Sequence, residues 1–308
     1  MRVLFVASGN HEGISPVVKV QGDSLEKAGV ELDYFLVKGK GVMGYIRQIR
    51  PLRRYCKQHN FDVVHAHYSF SAYVASLARV KPLVVSLMGS DSEASSKKKK
   101  MISLFSKIFH WPVVLVKSKK MAEGLSVGCP VQVIPNGVDT TLLVPMDKDA
   151  CREHLNWKSG VKHILFPANP DRQEKDFDLA TKAVEKLGPE VEMHVFKGVE
   201  HSETVYHYNA SDVVLLTSKW EGSPNVIKEA LACGCPIVST NVGDVSERME
   251  GVDGCIVAQT RNPEELSDLL SKALAFEGKT KGREKIINDN LDNRQVVQRL
   301  IDLYKSVC

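Results

Sequence analysis

Residues 213–240 read VVLLTSKWEGSPNVIKEALACGCPIVST. Val213–Thr217 is a short apolar run of the kind that forms a buried strand. A polar loop, Ser218 to Ser223, follows it, and the segment from Pro224 to Ala232 reads as a helix. Ser223 suits the N-cap, Pro224 the first helical position and Gly234 the position just past the end. Pro236–Thr240 is a second strand. Strand, loop, helix and strand in this order make a parallel βαβ unit, with the loop and the helix N-terminus at the carboxyl end of a strand.

Working outward, the same alternation fills the chain. Strands are predicted at Arg2–Ala7, Glu31–Val37, Asp62–Ala66, Leu83–Leu87, Val113–Val116 and Val131–Ile134. After them come His163–Pro167, Glu192–Phe196 and Gly254–Val257. Helices are predicted at Pro16–Ala28, Gly44–Gln58, Phe70–Arg79, Lys119–Leu125, Phe177–Leu187, Pro263–Ala275 and Asn293–Val307. Two Rossmann-like α/β domains account for this pattern. Their expected bounds are 1–145 and 146–290, with a final helix in 291–308 crossing back to the first domain. Val296, Val297, Leu300, Ile301 and Tyr304 give that helix an apolar stripe that must pack on something.

The 308 residues, 43% hydrophobic and 25% charged, suit a soluble protein of two ordinary domains. No apolar run reaches the roughly 18 residues needed to span a bilayer. Seven scattered cysteines suggest a reducing compartment, hence a cytoplasmic protein. Cys233-Gly-Cys235 fits small buried residues at a helix-to-strand corner. The net charge of +4 is unevenly divided: residues 1–150 hold 21 Lys/Arg against 12 Asp/Glu, and the remainder 20 against 25. Arg47, Arg50, Arg53 and Arg54, together with the run Lys97–Lys100 in an expected mobile loop, would suit an anionic membrane surface or a lipid-linked phosphate. Few aromatics interleave with these charges, which speaks against nucleic acid.

Backbone N–H groups around Ser223, Pro224, Asn225 and Val226 would face outward with the positive end of the helix dipole, a site for phosphate or sugar oxygens. Glu221 before the helix and Glu229 in its second turn flank that site. Carboxylates beside a diphosphate repel it unless they face hydroxyls, so their natural partners are the hydroxyls of a ribose or a hexose.

The block Glu221-Gly222-Ser223-Pro224-Asn225-Val226 through Glu229 to Val238 closely resembles the E-x7-E donor motif of family-4 retaining glycosyltransferases, which have the GT-B fold. Segments Phe61–His67, Val133–Asp139 and Asn209–Ser218 resemble other parts of that family in the same order. The resemblance implies two Rossmann-like domains facing a central cleft, with a hexose-type sugar moving from a nucleotide-sugar donor to a saccharide or lipid-linked acceptor. It implies work in cell-surface polysaccharide or glycolipid synthesis, without metal or other cofactor. Glu229 would bind the ribose and Glu221 the donor sugar, and the backbone of residues 223–226 would hold diphosphate and sugar oxygens. Lys175 would neutralise the leaving diphosphate, as would an arginine. Pro170 stands at that arginine's usual place, and Arg172 is the replacement candidate. The glycine loop Ser8–Gly13 resembles one that closes over the diphosphate, which makes Gly13 a donor-side candidate.

Where many relatives carry a histidine, in Ser86-Leu-Met-Gly-Ser-Asp91, this chain has Met88. His67, Ser90 and Asp91 are therefore the acceptor-side candidates, while His65 reads as a satisfied core histidine. Asp147-Lys-Asp149 and Asp176-Phe-Asp178 have the letters of a D-x-D metal motif, but they fall in the expected linker and at a helix start. Two other readings keep the same donor site: a non-catalytic nucleotide-sugar-binding subunit of a membrane-associated assembly, and a GT-B epimerase or hydrolase.

Overall fold

The computed structural model describes residues 1–10, 13–39, 41–92 and 96–308. It divides into two compact units, Met1–Gly137 with Asn293–Cys308, and Val138–Asp292. The sequence reading had set these divisions at 145/146 and 290/291. Residues 138–145 are tied to the second unit by backbone and side-chain bonds. The Val138 N–H donates to the Leu291 carbonyl at 2.9 Å. The Thr140 hydroxyl donates to Asp292, and Arg283 donates to the carbonyls of Leu143 and Thr140.

The first unit is a six-stranded sheet of β1 (Arg2–Ser8), β2 (Glu31–Val37), β3 (Val63–His67), β4 (Leu83–Ser86), β5 (Val113–Val116) and β6 (Val131–Val133), ordered β2-β1-β3-β4-β5-β6. Every pairing is parallel. Helices α1 (Pro16–Lys27), α2 (Gly41–Arg47), α3 (Ile49–Gln58), α4 (Ser69–Leu77), α5 (Gly89–Ser92), α6 (Ser96–Ile108) and α7 (Lys119–Glu123) connect the strands. Alternation along β1 shows why both faces are covered: Val3, Phe5 and Ala7 enter one core cluster, and Leu4 and Val6 the other.

The second unit holds a five-stranded parallel sheet of β7 (Lys162–Phe166), β8 (Val191–Val195), β9 (Val213–Leu216), β10 (Ile237–Thr240) and β11 (Cys255–Ala258), ordered β11-β10-β9-β7-β8. Its helices are α8 (Lys148–His154), α9 (Phe177–Glu185), α10 (Thr204–Ala210), α11 (Asn225–Ala232), α12 (Val245–Met249), α13 (Pro263–Leu274) and α14 (Gly282–Asn288). The fold class is thus the expected α/β one, with two parallel sheets. Cys233 and Cys235 are buried at the corner between α11 and β10.

The last helix, α15 (Asn293–Val307), belongs to the first unit. Val296, Val297, Leu300, Leu303 and Tyr304 are buried against Phe5, Leu25 and Ile134, each contributing about 1.5–3 kcal/mol. The Tyr304 hydroxyl lies 2.6 Å from His65 Nδ1, and His65 Nε2 lies 2.8 Å from the Ser86 hydroxyl. His65 is therefore the satisfied core histidine expected of it.

Three local readings are corrected. The predicted helix Gly44–Gln58 is two, α2 and α3, because Pro51 has no N–H for the Arg47 carbonyl and the chain turns at Gln48. The lysine run 97–100 lies in α6, not in a loop, since Ile102 and Ser106 four residues apart are buried and anchor the helix. The expected linker contains α8, capped by the Asp147 carboxylate accepting from the Ala150 N–H at 2.9 Å. Among the described residues no helix is long and apolar enough to cross a membrane.

Candidate functional site

In the second sheet the strand order reverses between β7 and β9, which are hydrogen-bonded neighbours with their connections leaving in opposite directions. Loops diverge at such a switch point and leave room for a ligand beyond the carboxyl ends of the strands. Lys175 stands on the loop after β7 and Glu221 on the loop after β9. The Lys175 ammonium is 2.5 Å from Glu221 Oε1, and both side chains are largely buried. The Ser218 hydroxyl donates to the same carboxylate oxygen at 2.9 Å.

The helix after this loop begins one residue later than expected. Pro224, with ψ 120°, occupies the cap position, α11 starts at Asn225, and no side chain caps it. Ser223 is therefore not the N-cap, because proline at that ψ has not yet entered the helix. The Asn225 side-chain oxygen is buried with no hydrogen-bond partner among the described residues, an acceptor at the mouth of α11. Gly234, with φ 69°, follows α11 as expected, and the Cys235 N–H donates back to the Ala230 carbonyl. Gly243 lets the loop after β10 lie on the loop after β9: a Cβ there would be 2.6 Å from the Gly222 carbonyl oxygen.

Glu229, one turn into α11, accepts from the Tyr208 hydroxyl at 2.7 Å. Tyr208 is fully buried on α10, and burial, with the Glu229 charge, raises its hydroxyl well above the ordinary value. It therefore stays a donor and fixes one Glu229 oxygen. Lys228 is fully buried beside it, and burial lowers its ammonium to about 8, opposed by the charges of Asp244 and Glu229.

Arg172 is exposed and ion-paired to Glu174 at 2.5 Å. A cation the sequence reading missed holds the two loops together. The Arg261 guanidinium donates to the Ser218 carbonyl at 2.7 Å, the Thr217 carbonyl at 2.9 Å and Asp176 Oδ2 at 2.5 Å. Asp176, next to Lys175, has φ 54°, and the Thr217 hydroxyl donates to the carbonyls of both residues at 2.9 Å. The remaining D-x-D carboxylate of this loop, Asp178, pairs with Lys182. Nothing in the sequence links residue 261 to residue 176, since the pairing depends on the loop after β11 reaching across the ends of β10 and β9 to the loop after β7.

On the first unit, His67 ends β3 and lies between Phe5 and His65, with ring centroids 4.4 and 4.2 Å away. Among the described residues neither ring nitrogen has a partner, and burial, then the Lys117 charge, lowers its pKa to about 3. Asp91 is buried and fully engaged: it accepts from the Ser69 hydroxyl at 2.7 Å, the Met88 N–H at 2.9 Å and Lys98 at 2.9 Å. Ser90 is exposed. Gly13 has φ 110°, which suits glycine. His11 and Glu12 of the same loop lie outside the described residues.

These two sheets with their strand-end loops match two families. The family model of glycosyl transferases group 1 matches residues 170–290, within the second unit. That of Glycosyltransferase Family 4 matches residues 18–142, almost all in the first. With both units matched, the chain belongs to the family-4 glycosyltransferases and has the GT-B fold. It is 27% identical over 277 residues to the putative teichuronic acid biosynthesis glycosyltransferase TuaC of Bacillus subtilis, covering 75% of this chain and 71% of that one. It is 30% identical over 185 residues to the D-inositol 3-phosphate glycosyltransferase of Xylanimonas cellulosilytica, covering 48% and 44% of the two chains, so less than half of that relative is spanned. Among solved structures, the sucrose-phosphate synthase of Thermosynechococcus elongatus superposes with a TM-score of 0.81 at 14% identity, over 99% of this chain and 98% of that one. Anabaena HepE in complex with UDP and glucose does so with a TM-score of 0.78 at 16% identity, over 99% and 100%.

Proposed function

We propose that the protein is a retaining, metal-independent glycosyltransferase that moves a hexose-type sugar from a nucleotide-sugar donor to a saccharide or lipid-linked acceptor. The observation that carries this reading is the Lys175–Glu221 pair at the switch point of the second sheet. In the free protein these charges satisfy each other. When the donor binds, sugar hydroxyls take the Glu221 carboxylate and diphosphate oxygens take the Lys175 ammonium. Glu229, steadied by Tyr208, accepts from the ribose, and the backbone of residues 222–226 with the Asn225 oxygen holds the sugar.

As the bond between the sugar C1 and the phosphate oxygen breaks, negative charge grows on the departing diphosphate beside Lys175. A fixed cation there stabilises the transition state more than the ground state. The acceptor oxygen forms its bond to C1 on the face that the phosphate leaves, and a departing phosphate oxygen takes the acceptor proton, so no protein base is required. Arg172 joins only by leaving Glu174. His67, neutral with two unpartnered nitrogens, is the acceptor-side group, and Asp91 shapes that loop.

Similarity to a teichuronic acid glycosyltransferase supports a place in cell-surface polysaccharide or glycolipid synthesis. A peripheral contact with anionic lipid fits the exposed Met101, Leu104 and Ile108 on α6 beside Lys97 and Lys100. The test is to incubate the protein with UDP-, GDP- and ADP-sugars and an acceptor panel, following nucleoside diphosphate release with and without EDTA. Turnover that persists in EDTA supports the proposal. Absolute dependence on a divalent ion contradicts it, and binding without turnover points to a non-catalytic subunit.

A further inference from the structure

A second pocket lies in the first unit at the amino ends of β3 and β4, the opposite end of the sheet from His67. Its volume is about 430 Å³, a size that holds a small organic ligand. Four of its lining residues are cations, Arg53, Lys57, Arg79 and Lys81, and none is an acid. Phe61, Val64 and Val80 give it an apolar floor. Neighbouring carboxylates are occupied elsewhere: Asp62 accepts from the Arg2 N–H, and Asp33 is ion-paired to Arg2.

Four exposed like charges line one cavity and make its potential positive, a setting that draws anions. Arg53 also donates to the carbonyls of Leu77 and Ala78 at the end of α4. Lys57, Arg79 and Lys81 have no ion pair or side-chain hydrogen bond among the described residues. Arg79 is the telling case. It has φ 59° and follows α4 in the position that glycine favours, with its N–H donating to the Ser76 carbonyl and the Val80 N–H to the Ala75 carbonyl. A long cationic side chain thus stands where the backbone favours glycine, and it lines the pocket.

We propose that this pocket binds a phosphoryl group carried on a molecule with an apolar portion. The guanidinium and ammonium groups would take the phosphoryl oxygens, and the floor of Phe61, Val64 and Val80 the apolar part. The site is separate from the nucleotide-sugar site and does not depend on that assignment. The phosphoryl group can come from a soluble phosphate ester or from a lipid headgroup, and the chemistry recognised is the same.

The experiment is a titration of isotope-labelled protein followed through the backbone amide signals of Lys57, Arg79, Val80 and Lys81. The probes are inorganic phosphate, phenyl phosphate and dihexanoyl phosphatidic acid below its micelle concentration. Saturable shifts at these amides are expected, with phenyl phosphate or the short lipid binding at least about tenfold more tightly than inorganic phosphate. A preference for phenyl phosphate assigns a soluble ester, and a preference for the short lipid assigns a headgroup. Arg79→Gly should keep or raise the thermal midpoint, because glycine suits φ 59°, while weakening binding at least about tenfold. Amides that respond to none of the three probes would overturn the proposal, as would unchanged affinity in a folded Arg79→Gly, Lys81→Ala protein.

Discussion

The Lys175 ammonium and the Glu221 carboxylate lie 2.5 Å apart, on loops that leave neighbouring strands of one sheet in opposite directions. Each therefore holds the other in place before any donor arrives. Lys175→Ala should lower kcat/KM by about 10²–10³, the effect of deleting one group that stabilises a developing anion. Glu221→Gln should lower it less, since the amide still meets a hydroxyl. The double variant should lose less than the sum of the two. Strict additivity in steady-state kinetics would show that the pair does not act as a unit.

Tyr208→Phe removes the hydroxyl that orients Glu229 and little else, because the ring stays packed against Phe196. The loss of one such bond is worth about 1 kcal/mol. KM for the nucleotide sugar should rise severalfold with kcat nearly unchanged. An equal fall in kcat would place Glu229 in the chemical step instead.

Arg261 cross-links the loops of Lys175 and Glu221 through Asp176, Thr217 and Ser218. Arg261→Ala should lower kcat/KM by roughly tenfold and unfolding free energy by about 1–2 kcal/mol. Arg261→Lys, which lacks the fork, should recover only part of either. Urea unfolding beside kinetics separates the effects, and a stability loss without a kinetic one would confine Arg261 to scaffolding.

Arg261 and Tyr208 also mark where the sequence stopped being informative. The strand Val113–Val116 was legible to the residue, because a continuous apolar run bounded by turns has few other fates, and Glu31–Val37 through its aromatic and branched residues between turn signals. Lys175 is legible only through the family resemblance, and Glu221 through that resemblance and its place just before a helix N-terminus. The bonds Arg261–Asp176 and Tyr208–Glu229 join residues far apart in the chain, and no local pattern encodes them. The lysine run 97–100 reads as a loop, not as part of the helix Ser96–Ile108, because four successive lysines hide the spacing of Ile102 and Ser106. Ser223 looked like a cap because serine often is one, whereas the geometry of Pro224 decided the helix start.

Acid should unfold the protein through the buried His67 and the half-buried His194. Burial lowers His67 to about 3 and His194 to about 4, from an ordinary 6.5. The unfolded chain then takes up protons first as pH falls. Stability from these groups is complete above about pH 6.5 and is lost as pH drops from there toward 4 for His194 and toward 3 for His67. The loss for His67 should be on the order of 2–4 kcal/mol. Urea midpoints measured from pH 7.5 to 4.5 should fall steeply in the wild type and less steeply in His67→Phe. Identical slopes would remove His67 from the account.

Charge and apolar exposure on α6 predict salt-sensitive sedimentation with anionic vesicles. Replacing Lys97 and Lys100 by Gln should weaken it, and Leu104→Ser with Ile108→Ser should weaken it further at any salt concentration. Unchanged sedimentation in both variants would remove the membrane contact.

Lys175 and Glu229 should hold a nucleoside diphosphate without a metal, which calorimetric titration of UDP, GDP and ADP into the protein in EDTA will read. At least one should bind, and Lys175→Ala and Glu229→Ala should each weaken it by about tenfold or more, the cost of one charged contact. Binding that appears only when a divalent ion is restored, or that ignores both substitutions, would contradict the account.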